Sequence, residues 1–224
     1  MRPEQVRSAR HANGLTQQQA AKRLRISQAY LAMLERGRRP VTPKLASSIA
    51  RVCGLGPTAL PLEFEHIDAA ALAAQLAALG YPGFRHLTGG RRKNPAVVLL
   101  AAILANDVEV RVIEALPWLI VEYSDLDWEW LIREVKLRDA QNRLGFLVTL
   151  ARQVAEKRGN SVASVSLCRV EGDLDRARLV REDTLCQASL SDAERRWLRQ
   201  VRPPAALYWN LLTDLDAQSL PYAA

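Results

Sequence analysis

The chain has 224 residues, of which 49% are hydrophobic and 25% are charged. At about 150 residues per domain, this length predicts one or two domains, and the apolar fraction excludes disorder over most of the chain, because enough apolar surface exists to offset the entropy of ordering. The longest apolar run, from Ala96 to Ala105, is well short of the roughly 18 residues that a membrane-spanning helix needs. The N-terminus is polar, without an apolar signal region, so we expect a cytoplasmic protein.

The excess of positive charge lies in the first quarter of the chain. Residues 1–60 carry eleven Lys and Arg against two Asp and Glu, a net charge of +9, whereas residues 61–224 carry twenty against twenty-two, a net charge of −2. This asymmetry predicts a polyanion-binding domain over 1–60 followed by a neutral domain over 61–224. A solvated basic surface without a partner is the alternative that charge alone leaves open.

Short helices with clear start and stop signals are predicted in the basic segment. Pro3 suits a first helical position, and Asn13-Gly14 is a strong stop, because both residues tolerate positive φ. Thr16 and Gln19 have the spacing of a capping box, and Ser27 is a second N-cap. The predicted helices cover 3–11, 17–24, 28–36 and 43–53, with Gly37 ending the third and Thr42-Pro43 starting the fourth.

The second and third of these helices are separated only by Arg25-Ile26, which is the arrangement of a helix-turn-helix. Leu31 and Leu34 are three residues apart on the third helix, so both are predicted to point inward. The predicted core consists of Leu15, Ala20, Ala21, Leu24, Ile26, Leu31, Leu34, Leu45, Ile49 and Val52.

Several spaced features coincide in this segment: two N-caps, small residues between the helices and a Glu-x-Gly-x-x-Pro ending. They lie in three stretches, Gly14-Leu15-Thr16-Gln17-Gln18-Gln19-Ala20-Ala21, Ile26-Ser27 and Leu34-Glu35-Arg36-Gly37-Arg38-Arg39-Pro40. Over about residues 3–60 the chain resembles the phage-repressor (Cro-like, xenobiotic-response-element) helix-turn-helix family. The resemblance implies a five-helix DNA-binding domain that places its third helix in the major groove. One position departs from the family: Arg25 stands where Gly is usual, at a cost on the order of 1 kcal/mol if the turn needs positive φ.

The resemblance also implies which residues contact DNA. Gln17 matches a residue that meets a phosphate, and Gln28 and Ala29 match the base-reading start of the recognition helix. Their chemistry fits, since Gln can bond adenine bidentately and an Ala methyl can touch a thymine methyl. The predicted DNA-binding residues are Thr16, Gln17, Gln18, Ser27, Gln28, Ala29, Tyr30, Met33, Arg36, Arg38, Arg39 and Lys44.

The remaining contacts follow from position along the same surface. Met33 would add an apolar base contact one turn further along the same face, and Tyr30 would stack along the sugar-phosphate backbone. The arginines of residues 36–39 match the loop after the helix, where cations bind phosphates, and Lys44 is a weaker phosphate candidate. Alternatively, the glutamines of residues 17–19 are helix formers on a solvated face.

Residues 61–224 are predicted to be helical too, so the fold class is all-α. A long amphipathic helix is predicted from Leu137, with Arg138, Asn142, Arg152 and Glu156 on its polar face and Gly145 at a close helix crossing. Its apolar face is Leu137, Ala140, Leu144, Leu147, Ala151 and Val154. The other predicted helices cover 63–79, 95–105, 108–122 with a break at Pro117, a segment capped by Ser124, 160–188, 192–200 with Ser191 as its cap, and 205–212. Over 160–188 helical spacing is favoured, although residues 164–167 alternate as in a strand.

No motif of residues 61–224 carries catalytic or metal-binding chemistry. Asp125, Asp127 and Glu129 are two apart, so on a helix successive carboxylates diverge by about 200° and would not share a metal. The glycines and cations of 89–94 lack P-loop spacing, and a mobile basic loop is the better interpretation. Three widely spaced cysteines predict reduced, mostly buried thiols. We therefore expect no enzyme, no metal and no cofactor.

These patterns predict a sequence-specific DNA-binding transcription regulator, a repressor that binds a pseudo-palindrome as a homodimer, because one helix-turn-helix reads only a half-site. Two alternatives stay open for residues 61–224. One is an antitoxin that neutralises a partner protein and autoregulates its operon, with an exposed Trp128 or Trp130 as an anchor. The other is a small-molecule sensor whose apolar helices around 95–121 line a pocket.

Overall fold

A computed structural model of the protein describes residues 1, 3–64, 67–88 and 92–221. The described residues form twelve α-helices and one two-stranded sheet, so the all-α prediction is confirmed. The chain divides into two compact units, Met1–Glu63 and Phe64–Ala224. In the described part of the chain, no helix is long and apolar enough to cross a membrane.

The N-terminal unit is a bundle of short helices, and its boundaries agree closely with those predicted from caps and stops. The fifth helical element is only a 3-10 turn, Pro57–Ala59. The α-helices of the N-terminal unit are α1 Pro3–Ala12, α2 Gln17–Leu24, α3 Gln28–Glu35 and α4 Pro43–Val52.

The apolar faces of these four helices meet in one small core. Val6, Leu31, Leu34 and Ile49 are at most 1% exposed. Ile26, Leu45 and Val52 from the predicted core are only partly buried at its edge, whereas Val6, Ala9 and Cys53 are core residues that were not predicted. A core this small makes the caps and polar contacts described below important to stability.

The C-terminal unit is built around one long helix, α9, against which α7, α8, α10 and α12 pack. A short parallel pair of strands joins Asp183 to Leu211 and Thr184 to Leu212. The elements of the C-terminal unit are α5 Ala69–Ala78, a 3-10 turn Pro82–Phe84, α6 Pro95–Leu104, α7 Val110–Glu122, α8 Trp128–Lys136, α9 Gln141–Lys157, α10 Ser161–Asp175, β1 Asp183–Thr184, α11 Asp192–Val201, α12 Pro204–Tyr208 and β2 Leu211–Leu212.

The predicted starts of helices α5 and α8 in this unit are wrong. Helix α5 begins at Ala69 rather than at Glu63, because the Asp68 side chain caps it by accepting from the N–H of Ala70. Helix α8 is capped by Asp127, which accepts from the N–H of Trp130 at 3.1 Å, and not by Ser124. In both cases an Asp side chain caps the helix at its observed start.

Helix α7 runs through Pro117 without the predicted break. An interior proline costs about 3 kcal/mol because it removes one backbone hydrogen bond and crowds the preceding turn. Leu116, Leu119 and Ile120 beside it are fully buried. Each such side chain contributes about 1.5–3 kcal/mol, so tertiary burial outweighs the local defect.

The long helix begins at Gln141, four residues later than predicted. Asp139 has a positive φ of 55° in the turn between α8 and α9, and Leu137 is 72% exposed rather than in the core. Asn142, predicted on the polar face, is buried and holds the backbone of Leu179 through two hydrogen bonds of 2.8 Å. A buried amide of this kind cannot be distinguished from a surface amide by periodicity.

The end of the chain also differs from the prediction of one helix over 205–212. Helix α12 stops at Tyr208, Asn210 takes a positive φ of 53°, and Leu211–Leu212 form a strand.

Gly145 does allow a close approach, but the group that approaches is the ring of Trp209 rather than another helix. Of the basic loop, Gly89, Gly90 and Arg91 lie outside the described residues.

Candidate nucleic-acid interface

Helices α2 and α3 both begin with hydrogen-bonded caps, which fix where each helix starts. Thr16 Oγ1 accepts from the N–H of Gln19 at 3.1 Å, and Gln19 Oε1 accepts from the N–H of Thr16 at 2.9 Å, so the predicted capping box is present. Ser27 Oγ accepts from the N–H of Tyr30 at 3.1 Å. Because Thr16 and Ser27 are engaged in these caps, their hydroxyls serve local structure first.

The turn between the two helices depends on a left-handed residue at Arg25, whose φ and ψ are 56° and 42°. The N–H of Ile26 reaches the carbonyl of Ala21 at 3.1 Å, and this closes the end of α2. Arg25 therefore keeps the turn geometry that glycine usually provides. Its backbone takes a left-handed conformation that is strained for a residue with a side chain.

Helix α3 turns its apolar side inward and its N-terminal residues outward. Leu31 and Leu34 are buried, at 1% and 0% exposure, as predicted. Gln28 and Ala29 are exposed, whereas Tyr30 and Met33 are half-buried at the edges of that face. The first turn of α3 thus presents an amide and a methyl group to solvent.

The loop after α3 is pinned by its backbone. The N–H of Arg38 bonds the carbonyl of Met33 at 2.9 Å, and the N–H of Gly37, whose φ is +70°, bonds the carbonyl of Leu34 at 3.1 Å. This is a Schellman motif. Arg36, Arg38, Arg39 and the Lys44 side chain at the start of α4 are all exposed.

One buried carboxylate, which was not predicted as a functional group, links three helices. Glu35 Oε1 accepts from Arg10 Nε at 2.6 Å, and its Oε2 accepts from Arg10 Nη2 at 3.2 Å and from Gln17 Nε2 at 2.7 Å. Arg10 also donates to the carbonyl of Leu15 at 2.8 Å. Gln17, predicted as a phosphate contact, is therefore half-buried and already bonded to Glu35.

The charge state of this cluster follows from its contacts. Burial raises the pKa of Glu35, but hydrogen bonds from Arg10 and Gln17 and the Arg10 charge outweigh it and leave the pKa below its usual value. The hydrogen bond to Glu35 likewise raises the pKa of Arg10. The sequence signal for this cluster is that Glu35 is one of only two acids in residues 1–60.

The surface of the N-terminal unit is strongly positive as a result. Among residues 1–60, Glu35 is neutralised beneath the surface by Arg10, so Glu4 is the exposed acid. The exposed cations are Arg7, Lys22, Arg23, Arg25, Arg36, Arg38, Arg39, Lys44 and Arg51. This distribution matches a phosphate-binding surface.

Comparison with known proteins agrees with this geometry. A helix-turn-helix family model matches residues 6–60. The N-terminal unit is thus a helix-turn-helix domain of the Cro-like type, and it supports a DNA-binding transcription regulator as the class of this protein. No curated protein and no solved structure matches the chain.

The C-terminal unit has a different chemical character. In the part of the chain that the structure describes, no cluster of three or more His, Cys, Asp or Glu side chains could hold a metal ion. Of the cysteines in this unit, Cys186 is buried and Cys168 is exposed, whereas the buried Cys53 belongs to the N-terminal unit. Trp128 and Trp130 are both half-buried, whereas Trp197 is 52% exposed.

Proposed function

We propose that the protein is a sequence-specific repressor that binds a pseudo-palindromic operator as a homodimer. The observation that carries the proposal is the exposed first turn of α3, where Gln28 and Ala29 project from a helix anchored by Leu31 and Leu34. A glutamine amide can bond the N6 and N7 atoms of adenine, and a methyl group can contact thymine. Exposed arginines after α3 are suited to the flanking phosphates.

A dimer is proposed because one helix of this length reads only a few base pairs. Two copies related by a two-fold axis would read half-sites about 10 base pairs apart, centre to centre. A repressor follows if such a site overlaps a promoter, since the bound dimer excludes the polymerase.

The test is selection of DNA duplexes from a random library with the full chain. We expect an enriched pseudo-palindrome, two chains per duplex in native mass spectrometry, and lower expression from a promoter that contains the site. Gln28→Ala should relax specificity at one base position and cost about 1–3 kcal/mol. Gln200→Ala, an exposed glutamine of α11, is the matched control. Enrichment of no sequence would contradict the proposal.

A second candidate function is an antitoxin that neutralises a partner protein through the C-terminal unit. Trp197 and Val201 are 52% and 44% exposed and lie four residues apart on α11, so they share a face. Exposed aromatic residues are typical anchors of protein interfaces. A nuclease-treated pull-down of the full chain should then yield a stoichiometric partner that Trp197→Ala loses and Trp128→Ala retains.

A small-molecule sensor is the third candidate, and a cleft outside the helices around 95–121 is the better support for it. Helix α6 is buried almost throughout, so the helices around 95–121 form core. A cleft of about 780 Å³ lies instead between α9 and the start of α12, with Leu150, Lys157, Pro203 and Asp216 in its lining. A sensor would release DNA when a small molecule binds this cleft, and Lys157→Ala, which changes the lining, should weaken that release without changing DNA affinity.

A further inference from the structure

The cluster of Arg10, Gln17 and Glu35 fixes the orientation of the Gln17 side-chain amide, which folding alone does not require. Each residue comes from a different helix: Arg10 from α1, Gln17 from the first position of α2 and Glu35 from the last position of α3. The Glu35 side chain is 3% exposed and the Arg10 side chain 6%. The carboxylate is thus held below the surface, while Gln17, which donates to it, is half-exposed.

An ionised carboxylate accepts hydrogen bonds and donates none. The Gln17 amide must therefore turn its nitrogen, not its oxygen, toward Glu35, which is the orientation observed, with Nε2 at 2.7 Å from Oε2. A glutamine without such a partner can present either edge. Glu35 consequently fixes which end of the Gln17 amide is the donor.

The Gln17 nitrogen carries two N–H groups, and Glu35 takes one of them. Within the described residues the other N–H has no partner, and Gln17 is half-exposed. Phosphate oxygens are acceptors, so only the nitrogen edge of a glutamine can bond them. Because Arg10 neutralises Glu35, the carboxylate does not repel a nearby phosphate as an unpaired charge would.

We propose that Glu35 is a positioning residue for DNA binding: it holds Gln17 so that the second Nε2–H donates to a backbone phosphate. The Arg10–Glu35 pair therefore contributes to DNA affinity through Gln17, in addition to joining α1 to α3. This inference rests on the proposed DNA-binding function and specifies a contact within it.

The test is a double-mutant cycle on the full chain with two probes, a selected operator duplex and a random-sequence duplex of equal length. Gln17→Met and Glu35→Gln should each weaken binding to both probes by roughly three- to tenfold, the range of one hydrogen bond. The double variant should lose no more than either single variant. The salt dependence should stay unchanged, since a neutral donor displaces no counterion. Losses that multiply in the double variant would overturn the proposal.

Two controls separate positioning from folding. Gln18→Met changes the neighbouring exposed glutamine, and its effect should multiply with that of Glu35→Gln. All affinities are compared at temperatures where circular dichroism shows the variants folded. If Glu35→Gln does not fold, Arg10→Gln with Glu35→Gln takes its place in the cycle, because it removes both buried charges together.

Nuclear magnetic resonance provides a readout that a purely structural role would not change. In the wild type, addition of the random duplex should shift one of the two Gln17 Nε2 protons, the one that Glu35 does not hold. Equal shifts of both protons, or of neither, would overturn the proposal. If the wild type binds neither probe, the proposed function fails as well, whereas unaltered binding by Gln17→Met in a chain that binds DNA removes this inference alone.

Discussion

Gly145 lies directly against the indole ring of Trp209, and a Cβ atom on Gly145 would come within 2.4 Å of ring atoms Cη2 and Cζ3. Trp209 is fully buried, and its Nε1 donates to Thr149 Oγ1 at 2.8 Å. Thr149 Oγ1 also lies 2.7 Å from Glu171 Oε1, so the indole nitrogen joins a polar network between α9 and α10. The ring can therefore not move away without breaking this hydrogen bond.

Gly145→Ala should consequently destabilise the C-terminal unit by about 2–3 kcal/mol, the upper part of the range for overpacking. Urea unfolding followed by tryptophan fluorescence measures the change. Gly172→Ala is the matched control, because a Cβ on this α10 glycine meets no atom within 4 Å; it should be neutral or stabilising by up to about 1 kcal/mol. Equal destabilisation by both substitutions would contradict this account.

Arg25 should be a site at which a smaller side chain improves stability. Its φ of 56° is left-handed, so Arg25→Gly should stabilise the N-terminal unit by up to about 1 kcal/mol, net of the entropy that glycine loses on folding. Arg25→Val should destabilise it, since a β-branched residue is disfavoured there. Thermal unfolding followed by amide signals of α2 and α3 measures the order Gly, Arg, Val; a valine variant as stable as wild type would refute it.

The Arg10–Glu35 pair should make the N-terminal unit acid-sensitive. The pKa of Glu35 is lowered from 4.5 in the folded state, so the unfolded chain takes up the proton first as pH falls. The stabilisation is present above about pH 4.5 and is lost as pH falls further, through the lower pKa of the folded state.

Urea titrations of the full chain at pH 6, 5, 4 and 3, followed by amide signals of α1 and α3, measure this dependence. Glu35→Gln should lose less stability between pH 5 and pH 3 than the wild type does. Glu4→Gln is the control for removal of a carboxylate from the exposed part of the same unit. The same slope in wild type and Glu35→Gln would exclude this linkage.

Arg38→Ala should weaken binding to specific and random duplexes alike and lower the salt slope by about one, because the exposed guanidinium on a pinned backbone neutralises one phosphate. Filter binding at several salt concentrations measures the slope. Arg196→Ala removes an exposed arginine of α11 and should leave the slope unchanged. A wild-type slope in Arg38→Ala would remove Arg38 from the phosphate contacts.

The sequence predicted the N-terminal unit well because its signals are local. Thr16, Gln19, Ser27 and Gly37 act within a few residues of their own positions, so spacing alone locates the helix ends. The Arg10–Glu35 contact was missed because its partners are 25 residues apart. Only the fold brings them together.

The C-terminal unit was predicted less well because its boundaries depend on tertiary packing. Pro117 stays helical where buried neighbours hold it, and Asn142 is buried because it caps a distant backbone segment. The strand at Leu211–Leu212 exists only because β1 lies beside it. None of these partners is visible in a local pattern.

The neutralisation of Glu35 beneath the surface has a consequence for how the regulator finds its target. Glu4 is then the exposed acid among residues 1–60, so almost any stretch of duplex attracts this unit. We expect most copies in a cell to bind unrelated chromosomal DNA and to reach the proposed operator by sliding and hopping rather than by free diffusion. The occupancy of the operator would then follow the ratio of specific to non-specific affinity, and a change in cellular salt would alter both together.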